Sequence, residues 1–168
     1  MRSEKVFDGR LIKLFKSYIR LPDGRKGYFE EIRHPGAALV VPFTGDCVVF
    51  IRQYRPVIGK YIWELPAGTL NPGETPYSCA KREVTEETGY AVSDLKRIGT
   101  IYSSPGFCDE VIHIFRADCI ARGTHNRDTD EFLSVRRIRT KNVKSLFQNK
   151  RISDSKTIAA LAFAGLLG

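Results

Sequence analysis

The sequence predicts an α/β fold in which one mixed β-sheet carries single helices on its faces. Runs rich in β-branched residues dominate the middle of the chain, whereas helical patterns occur one at a time. This order does not show the regular alternation of strand and helix that a doubly wound parallel sheet requires. With 168 residues, 42% of them hydrophobic, the chain is long enough for one domain with a substantial core.

The strands follow from short runs bounded by turn residues. The region Gly9 to His34 predicts a β-hairpin around the turn signal LPDGRKG. The runs AALVVPF and CVVFIRQYR flank the turn TGD and predict adjacent antiparallel strands. Further strands are predicted within LKRIGTIYSS, VIHIFRADCI and FLSVRRIR. We therefore divide the chain into N-terminal strands at 1–36 and a main domain at 37–168.

Two helices are predicted from their end signals. Thr75 and Pro76 are a suitable N-cap and first helical residue, and Gly89 is a natural stop for the helix that follows them. The last segment, SKTIAALAFAGLL, predicts an apolar helix that is capped by Ser153 or Asp154.

Charge and cysteine content limit the classes of function. The net charge is +8, but the basic residues are scattered, and the densest group, VRRIRTKNVK, has no nucleic-acid-binding signature beside it. We interpret that group as a solvated face and do not favour nucleic acid as a partner. No apolar run approaches the ~20 residues that cross a bilayer, and no signal peptide is recognisable. Four cysteines are too few for a disulfide scaffold, so we expect reduced thiols in a cytoplasmic protein without membrane contact.

Three glutamates lie within five residues of the first predicted helix: Glu83, Glu86 and Glu87. Side chains at this spacing share an arc of about 100° on a helix. One hypothesis is a solvated charged face. The other is a metal site, because hard divalent cations such as Mg²⁺ take carboxylate oxygens together with substrate phosphate oxygens. Arg82, four residues before Glu86, could orient that residue but cannot balance three carboxylates.

The surrounding residues follow the pattern G-x5-E-x7-R-E-U-x-E-E-x-G-U, in which U is apolar. The nine constrained positions are Gly68, Glu74, Arg82, Glu83, Val84, Glu86, Glu87, Gly89 and Tyr90. Tyr90 is a mild departure, since this position is usually aliphatic. The segment resembles the Nudix box of the Nudix hydrolases, and a pattern of this length is far more specific than a lone Gly-rich motif.

The resemblance implies an α/β/α sandwich with a mixed β-sheet and an N-terminal β-hairpin extension. It also implies hydrolysis of a nucleoside diphosphate that is linked to another moiety. The implied ligands of Mg²⁺, which Mn²⁺ could replace, are the Ala67 carbonyl and the carboxylates of Glu83, Glu86 and Glu87. By the same resemblance Glu74 and Arg82 brace the loop and helix, and we count Arg82 and Glu86 among the catalytic residues.

The segments on either side of the box narrow the resemblance. QYRPVIGKYIWELPAG and SSPGFCDEVIHIFRA resemble the ADP-ribose pyrophosphatase branch, in which a proline follows the box by about sixteen residues, as Pro105 follows Gly89 here. The implied reaction is Mg²⁺-dependent hydrolysis of ADP-ribose to AMP and ribose 5-phosphate. Another nucleotide sugar, such as GDP-mannose, is the alternative substrate. A nucleotide-binding module without turnover is a further alternative, against which the intact glutamates argue.

The resemblance also assigns residues that contact the substrate. Arg55 is the implied phosphate-binding residue, and a solvent-facing strand arginine is its alternative interpretation. Arg52 is a weaker candidate. Pro105, Gly106 and Glu110 complete the implied substrate-binding set, although Glu110 is as readily explained by a structural hydrogen bond.

An acidic residue must activate the attacking water. In similar pyrophosphatases it lies on the loop after the strand that corresponds to VIHIFRADCI. That loop here is ARGTHNRDTDEF, with Asp128, Asp130 and Glu131. We favour Glu131 as the base and keep Asp130 as its rival, while a solvated acidic loop is the alternative.

Similar pyrophosphatases are homodimers that associate through their N-terminal strands. We therefore expect a homodimer whose interface lies within Gly9 to His34, and a small nucleotide sugar as the substrate.

Overall fold

A computed structural model describes residues 2–122 and 132–168 of the protein. The elements in this part of the chain are β1 (Arg2–Asp8), β2 (Lys13–Arg20), β3 (Lys26–Arg33), β4 (Ala37–Thr44), β5 (Cys47–Arg55), a 3-10 turn (Pro56–Ile58), β6 (Lys60–Glu64), β7 (Ala67–Thr69), α1 (Pro76–Thr88), β8 (Tyr90–Tyr102), β9 (Val111–Arg122), β10 (Leu133–Arg139), α2 (Thr140–Gln148) and α3 (Ser155–Phe163).

Seven strands form one mixed sheet. The central order is β10-β5-β4-β9-β8, with β6 paired to β5 and β7 paired to β4. The β4–β9 pair is parallel, and the other pairs of this sheet are antiparallel. The predicted mixed sheet is therefore confirmed, as is the antiparallel pairing of β4 with β5, in which Phe43 lies opposite Val48.

The central strand β4 is buried on both faces because helices cover both. Alternate strand residues point to opposite faces. Leu39 and Val41 share a core with residues of α2 and α3, whereas Val40 packs with residues of α1 on the other face. All three side chains are fully buried, and each such burial stabilises the fold by about 1.5–3 kcal/mol. The result is the predicted α/β/α sandwich.

The N-terminal strands form a separate antiparallel sheet in the order β1-β2-β3. The predicted hairpin is confirmed as β2 and β3, with Gly24 in the left-handed conformation (φ 86°) at the turn. Strand β1 was not predicted, because all seven of its residues are exposed and no hydrophobic alternation marks it. This sheet meets the main body where the Ile32 N–H donates to the Phe107 carbonyl (2.7 Å).

The first helix has the predicted ends. The Thr75 hydroxyl accepts from the Ser78 N–H, and Gly89 is left-handed (φ 74°), which ends the helix. Strand β8 then begins at once, at Tyr90, earlier than predicted. Three shifts of register between Tyr90 and Gly99 interrupt the alternation that would have indicated its first half.

The C-terminal helices differ from the prediction. Helix α2 begins within the segment VRRIRTKNVK, which was interpreted as a solvated basic face, and extends beyond it; Val143 is its one buried residue. Asp154 is the cap of α3, since its Oδ2 accepts the Thr157 N–H (2.9 Å). That helix ends at Phe163, before the predicted end, and the chain turns at Gly165 (φ 71°). No helix in the described parts of the chain has the length and hydropathy of a membrane span.

Candidate active site

A cavity of about 750 Å³ opens between α1, strand β7 and the ends of β3 and β5. Apolar side chains from the N-terminal segment line part of it: Leu11, Ile12 and Ile32. The charged residues that line it are Arg55, Arg82, Glu83, Glu86, Glu87, Glu110 and Lys156. The fold therefore brings the box glutamates, Arg55 and Glu110 together from three separate segments.

The packing of α1 directs its glutamates toward this cavity. Ala80 and Val84 are fully buried against the sheet, and residues three or four positions away share their side of the helix. Glu83 and Glu87 are consequently only 8% and 3% exposed, whereas Glu86 is half-buried. The alternative of a solvated charged face is wrong for Glu83 and Glu87.

Arg82 is the hub of an ion-pair group that we call the Arg82 cluster: Arg82, Glu74, Glu83 and Glu86. Its Nε and Nη2 donate to the two carboxylate oxygens of Glu74 (2.8 and 3.0 Å). Its Nη1 donates to Glu83 Oε1 (2.6 Å) and Glu86 Oε2 (2.9 Å). The predicted interaction of Arg82 with Glu86 is confirmed, and one guanidinium contacts three carboxylates.

The same cluster fixes the loop that precedes α1. Glu74 Oε2 also accepts the Asn71 N–H (2.9 Å), and Arg82 Nη2 donates to the Thr69 carbonyl (3.3 Å). Hydrogen bonding to Arg82 lowers the pKa of Glu74 to about 2. Glu74 and Arg82 therefore brace the loop against the helix, as predicted.

Strand β7 approaches the glutamates so closely that Gly68 has no room for a side chain. A Cβ at this position would lie 1.8 Å from Glu83 Oε1. The neighbouring Ala67 N–H donates to Glu87 Oε2 (3.1 Å). The backbone of β7 therefore anchors Glu87 by a hydrogen bond and leaves room for Glu83 at Gly68.

The donor set fits a hard divalent cation. Carboxylate oxygens are the ligands that such ions prefer, and the Arg82 cluster has one cation for three carboxylates. In residues 2–122 and 132–168, no three His, Cys, Asp or Glu side chains are grouped as metal ligands. Arg82 holds one oxygen of Glu83 and one of Glu86, so an ion bound here would share these two carboxylates with Arg82.

A second ion-pair group borders the cavity, and we call it the Glu64 cluster: Glu64, Arg55, Lys156 and Asp154. Arg55 donates from Nε and Nη2 to the two Glu64 oxygens (2.6 and 2.7 Å). Lys156 Nζ donates to Glu64 Oε2 (2.5 Å) and to Asp154 Oδ1 (2.8 Å). Burial alone would raise the pKa of Glu64, but hydrogen bonds from these cations outweigh it and hold that pKa below its usual value.

Neither Glu64 nor Lys156 was predicted as a site residue from the sequence. The signal for Glu64 is a carboxylate in the otherwise apolar stretch YIWELPAG, and such a residue needs a partner when it is buried. Lys156 gave no comparable signal, because a lysine near the start of a helix reads as a surface residue. Its partner Glu64 lies 92 positions away in the sequence.

Of the remaining predicted substrate-binding residues, one lines the cavity and three do not. Glu110 lines the cavity, and its Oε1 lies 3.6 Å from His34 Nδ1. Arg52 stacks over the ring of Tyr61, with 5.6 Å between the guanidinium carbon and the ring centroid. It is not among the described residues that line the cavity, and neither are Pro105 and Gly106, which are exposed in the turn before β9. The predicted base residues Asp128, Asp130 and Glu131 lie outside the described residues.

A family model for the NUDIX domain matches residues 33–161. The chain therefore belongs to the Nudix family, whose hydrolases generally use divalent metal ions.

Individual relatives extend over almost the whole chain. It is 35% identical to the ADP-ribose pyrophosphatase of Bacillus subtilis, over 97% of this chain and 90% of the relative. It is 36% identical to the methanol dehydrogenase activator of Bacillus methanolicus, over 99% of this chain and 91% of the relative. The fold is similar to that of a crystal structure of an ADP compounds hydrolase, with a TM-score of 0.86, 23% identity and coverage of 98% and 90% of the two chains.

Proposed function

We propose that this Nudix hydrolase cleaves the diphosphate of ADP-ribose to AMP and ribose 5-phosphate, with Mg²⁺ as the cofactor and Mn²⁺ as a substitute. The observation that carries the proposal is the cavity itself, which has an excess of carboxylates on one wall and two cations on another. The full-length similarity to an ADP-ribose pyrophosphatase supports this choice of substrate.

We assign the ion to the carboxylates of Glu83, Glu86 and Glu87, together with the Ala67 carbonyl. A bound divalent cation would polarise the phosphoryl oxygens and lower the pKa of a bound water. Glu74 orients Arg82, and Arg82 in turn orients Glu86. Arg55 would bind a phosphate oxygen with the N–H groups that Glu64 does not occupy, since a guanidinium suits phosphate geometry.

The attacking water needs a base, and we assign Glu131, with Asp130 as the alternative. Water would add to one phosphorus atom while the bridging P–O bond breaks, and the water proton would pass to the base. Glu110 lines the same cavity and is assigned to substrate binding with Arg55.

An assay of substrates and products tests the proposal. The full chain with Mg²⁺ is incubated separately with ADP-ribose, GDP-mannose, NADH and a diadenosine polyphosphate, and the products are identified. The expected result is AMP and ribose 5-phosphate from ADP-ribose at the highest kcat/KM. Preferred cleavage of GDP-mannose would replace the substrate within the same reaction class, and no cleavage of any compound would favour a binding module.

A second candidate function follows from the relative named a methanol dehydrogenase activator. That relative is 36% identical to this chain, against 35% for the ADP-ribose pyrophosphatase. Under that hypothesis the protein would raise the turnover of a methanol dehydrogenase. Addition of the protein to a methanol dehydrogenase assay tests it. An unchanged dehydrogenase rate would discard this candidate.

We further propose a cytoplasmic homodimer in which residues 1–36 form the interface and 37–168 the hydrolase domain. The N-terminal sheet carries exposed apolar side chains that a second copy would cover: Val6, Phe7, Leu11, Ile12, Tyr18, Tyr28 and Phe29. All four cysteines are unpaired, as a reducing compartment favours. Light scattering of the intact chain should give twice the mass of 19.0 kDa, and a monomer mass would discard the interface.

A further inference from the structure

We infer that Lys156 is a second phosphate-binding cation of the cavity, and that the buried Glu64 carboxylate positions Lys156 and Arg55 as a pair. The inference rests on the proposed function, because it takes the diphosphate of the substrate as the ligand of this pair.

The geometry of the Glu64 cluster separates the carboxylate from the cations. The Glu64 side chain is 1% exposed, whereas those of Arg55 and Lys156 are 40% and 22% exposed. Arg55 and Lys156 line the cavity, and Glu64 is not among the described residues that do. The carboxylate therefore lies behind the two cations, and a molecule in the cavity meets the cations first.

Both cations keep hydrogen-bond donors for a ligand. Arg55 donates two of its five N–H groups to Glu64, and Lys156 donates two of its three to Glu64 and Asp154. The remaining N–H groups, three on Arg55 and one on Lys156, belong to side chains that line the cavity.

Ion pairs, rather than the helix dipole, hold Lys156 at its position. Lys156 is in the first turn of α3, where the dipole disfavours a cation, and it pairs there with the Asp154 N-cap and with Glu64. Arg55 already satisfies both oxygens of Glu64. These ion pairs place the Lys156 ammonium beside Arg55 in the lining of the cavity, where a bound anion would meet both cations.

The carboxylates that line the same cavity indicate what that anion is. The Arg82 cluster and Glu87 carry the negative charge of the cavity, and a phosphate can approach them only with a cation between. Its remaining oxygens would then be directed away from α1, toward Arg55 and Lys156. A guanidinium and an ammonium beside each other are well suited to the adjacent phosphates of a diphosphate.

The test measures binding without turnover. The full chain with Mg²⁺ is titrated calorimetrically with ADP, AMP and adenosine. Lys156→Gln should weaken ADP binding about tenfold, the effect of one charge-assisted hydrogen bond, and leave adenosine binding unchanged. Lys156→Arg should restore most of the affinity. The matched control is Lys144→Gln, which removes the same charge from α2 outside the cavity.

Thermal unfolding of each variant separates binding from folding. Glutamine at 156 keeps an N–H donor for Glu64, so we expect Lys156→Gln to fold. Unchanged ADP affinity in folded Lys156→Gln would overturn the inference, since Lys156 would then serve only as a counter-ion. An equal loss of affinity in Lys144→Gln would overturn it too.

The positioning role of Glu64 has its own readout. Glu64→Gln should raise the KM for ADP-ribose about tenfold with a smaller change in kcat, because the cations lose their common anchor. A merely structural role would lower the folded fraction, which reduces the apparent kcat and leaves KM unchanged. That second pattern would refute the positioning role.

The inference and the proposed function can fail separately. If the wild type does not hydrolyse ADP-ribose but Lys156→Gln still weakens ADP binding, the substrate is wrong and the inference stands. If the wild type hydrolyses ADP-ribose and ADP affinity is unchanged in the variant, the inference is wrong and the function stands. A wild type that binds no ADP overturns the inference directly.

Discussion

The Arg82 cluster and the Glu64 cluster border one cavity, but their charge balances differ. In the Arg82 cluster one guanidinium contacts three carboxylates, whose side chains range from 11% exposed at Glu83 to 43% exposed at Glu86. In the Glu64 cluster two cations meet two carboxylates around a group that is 1% exposed. The first cluster has unbalanced negative charge that a dication can satisfy, whereas the second is neutral without any ligand.

This difference shows that burial limits the net charge that a cluster of side chains can carry. A deeply buried charge must be balanced by the protein itself, because desolvation is too costly otherwise. A cluster that reaches solvent, as the Arg82 cluster does at Glu86, can keep an excess of one sign and bind an ion with it. We therefore expect substitutions in the Arg82 cluster to affect chemistry first, and substitutions in the Glu64 cluster to affect stability as well.

The largest expected effect is on catalysis. Glu86→Gln removes one proposed ion ligand from the wall with the charge excess, and kcat should fall roughly a thousandfold, since a bound ion supplies several kcal/mol of transition-state stabilisation. The fold should persist, because Glu86 is half-buried. Steady-state kinetics and thermal unfolding measure the two quantities. The control is Asp94→Asn on the exposed face of β8, and near-normal activity of Glu86→Gln would refute the metal assignment.

The next effect is on stability and belongs to the Glu64 cluster. Glu64→Gln leaves Arg55 and Lys156 without their shared carboxylate, and the free energy of unfolding should fall by about 3 kcal/mol. The matched surface pair is Asp46 with Arg139, 4.0 Å apart and mostly exposed, where Asp46→Asn should cost less than about 0.5 kcal/mol. Urea denaturation measures both. Equal losses in the two variants would remove the distinction between buried and exposed clusters.

A third prediction separates ion binding from proton transfer. If the glutamates of α1 hold the ion, another carboxylate must act as the base. Glu131→Gln should lower kcat about a hundredfold with little change in KM. Kinetics of Glu131→Gln and Asp130→Asn side by side identify the residue. The same behaviour in Asp130→Asn alone would transfer the role, and full activity in both would return it to the Arg82 cluster.

The sequence predicted the parts of the fold that local patterns specify. Helix α1 was predicted with both ends because Thr75 and Gly89 satisfy backbone groups within a few residues. Strand β1 was missed because it buries too little apolar surface to leave a periodic pattern. Helix α2 does have an amphipathic pattern, but it begins in the basic group that was interpreted as a solvated face. Alternation also failed for the first half of β8, where shifts of register disrupt it.

The residues of the candidate site also differ in whether a local sequence pattern predicts their proximity. The glutamates and Arg82 lie within one turn and a half of a helix, so their spacing alone predicted that they share a face. The Glu64 cluster joins β5, β6 and α3, whose proximity is set by the packing of the sheet. No local pattern connects Glu64 with Lys156, and for that reason only the structure revealed their contact.

The smallest predicted effect concerns the ion pair of Glu74 with Arg82. It tests whether the charge of Glu74 or the geometry of its hydrogen bonds stabilises the fold. Glu74 has a folded-state pKa of about 2, below its ordinary value of 4.5, so its ion pair with Arg82 stabilises the fold above about pH 4.5. That contribution, about 1 kcal/mol for a partly exposed pair, is lost as the pH falls toward 2. Glu74→Gln should therefore be less stable than the wild type at pH 7, and the difference should shrink in urea denaturation at pH 4 and pH 3. If the difference in unfolding free energy between wild type and Glu74→Gln stays constant across this range, Glu74 braces the loop through the geometry of its hydrogen bonds rather than through its charge. The charge of Glu74 would then add nothing to the contrast between the two clusters.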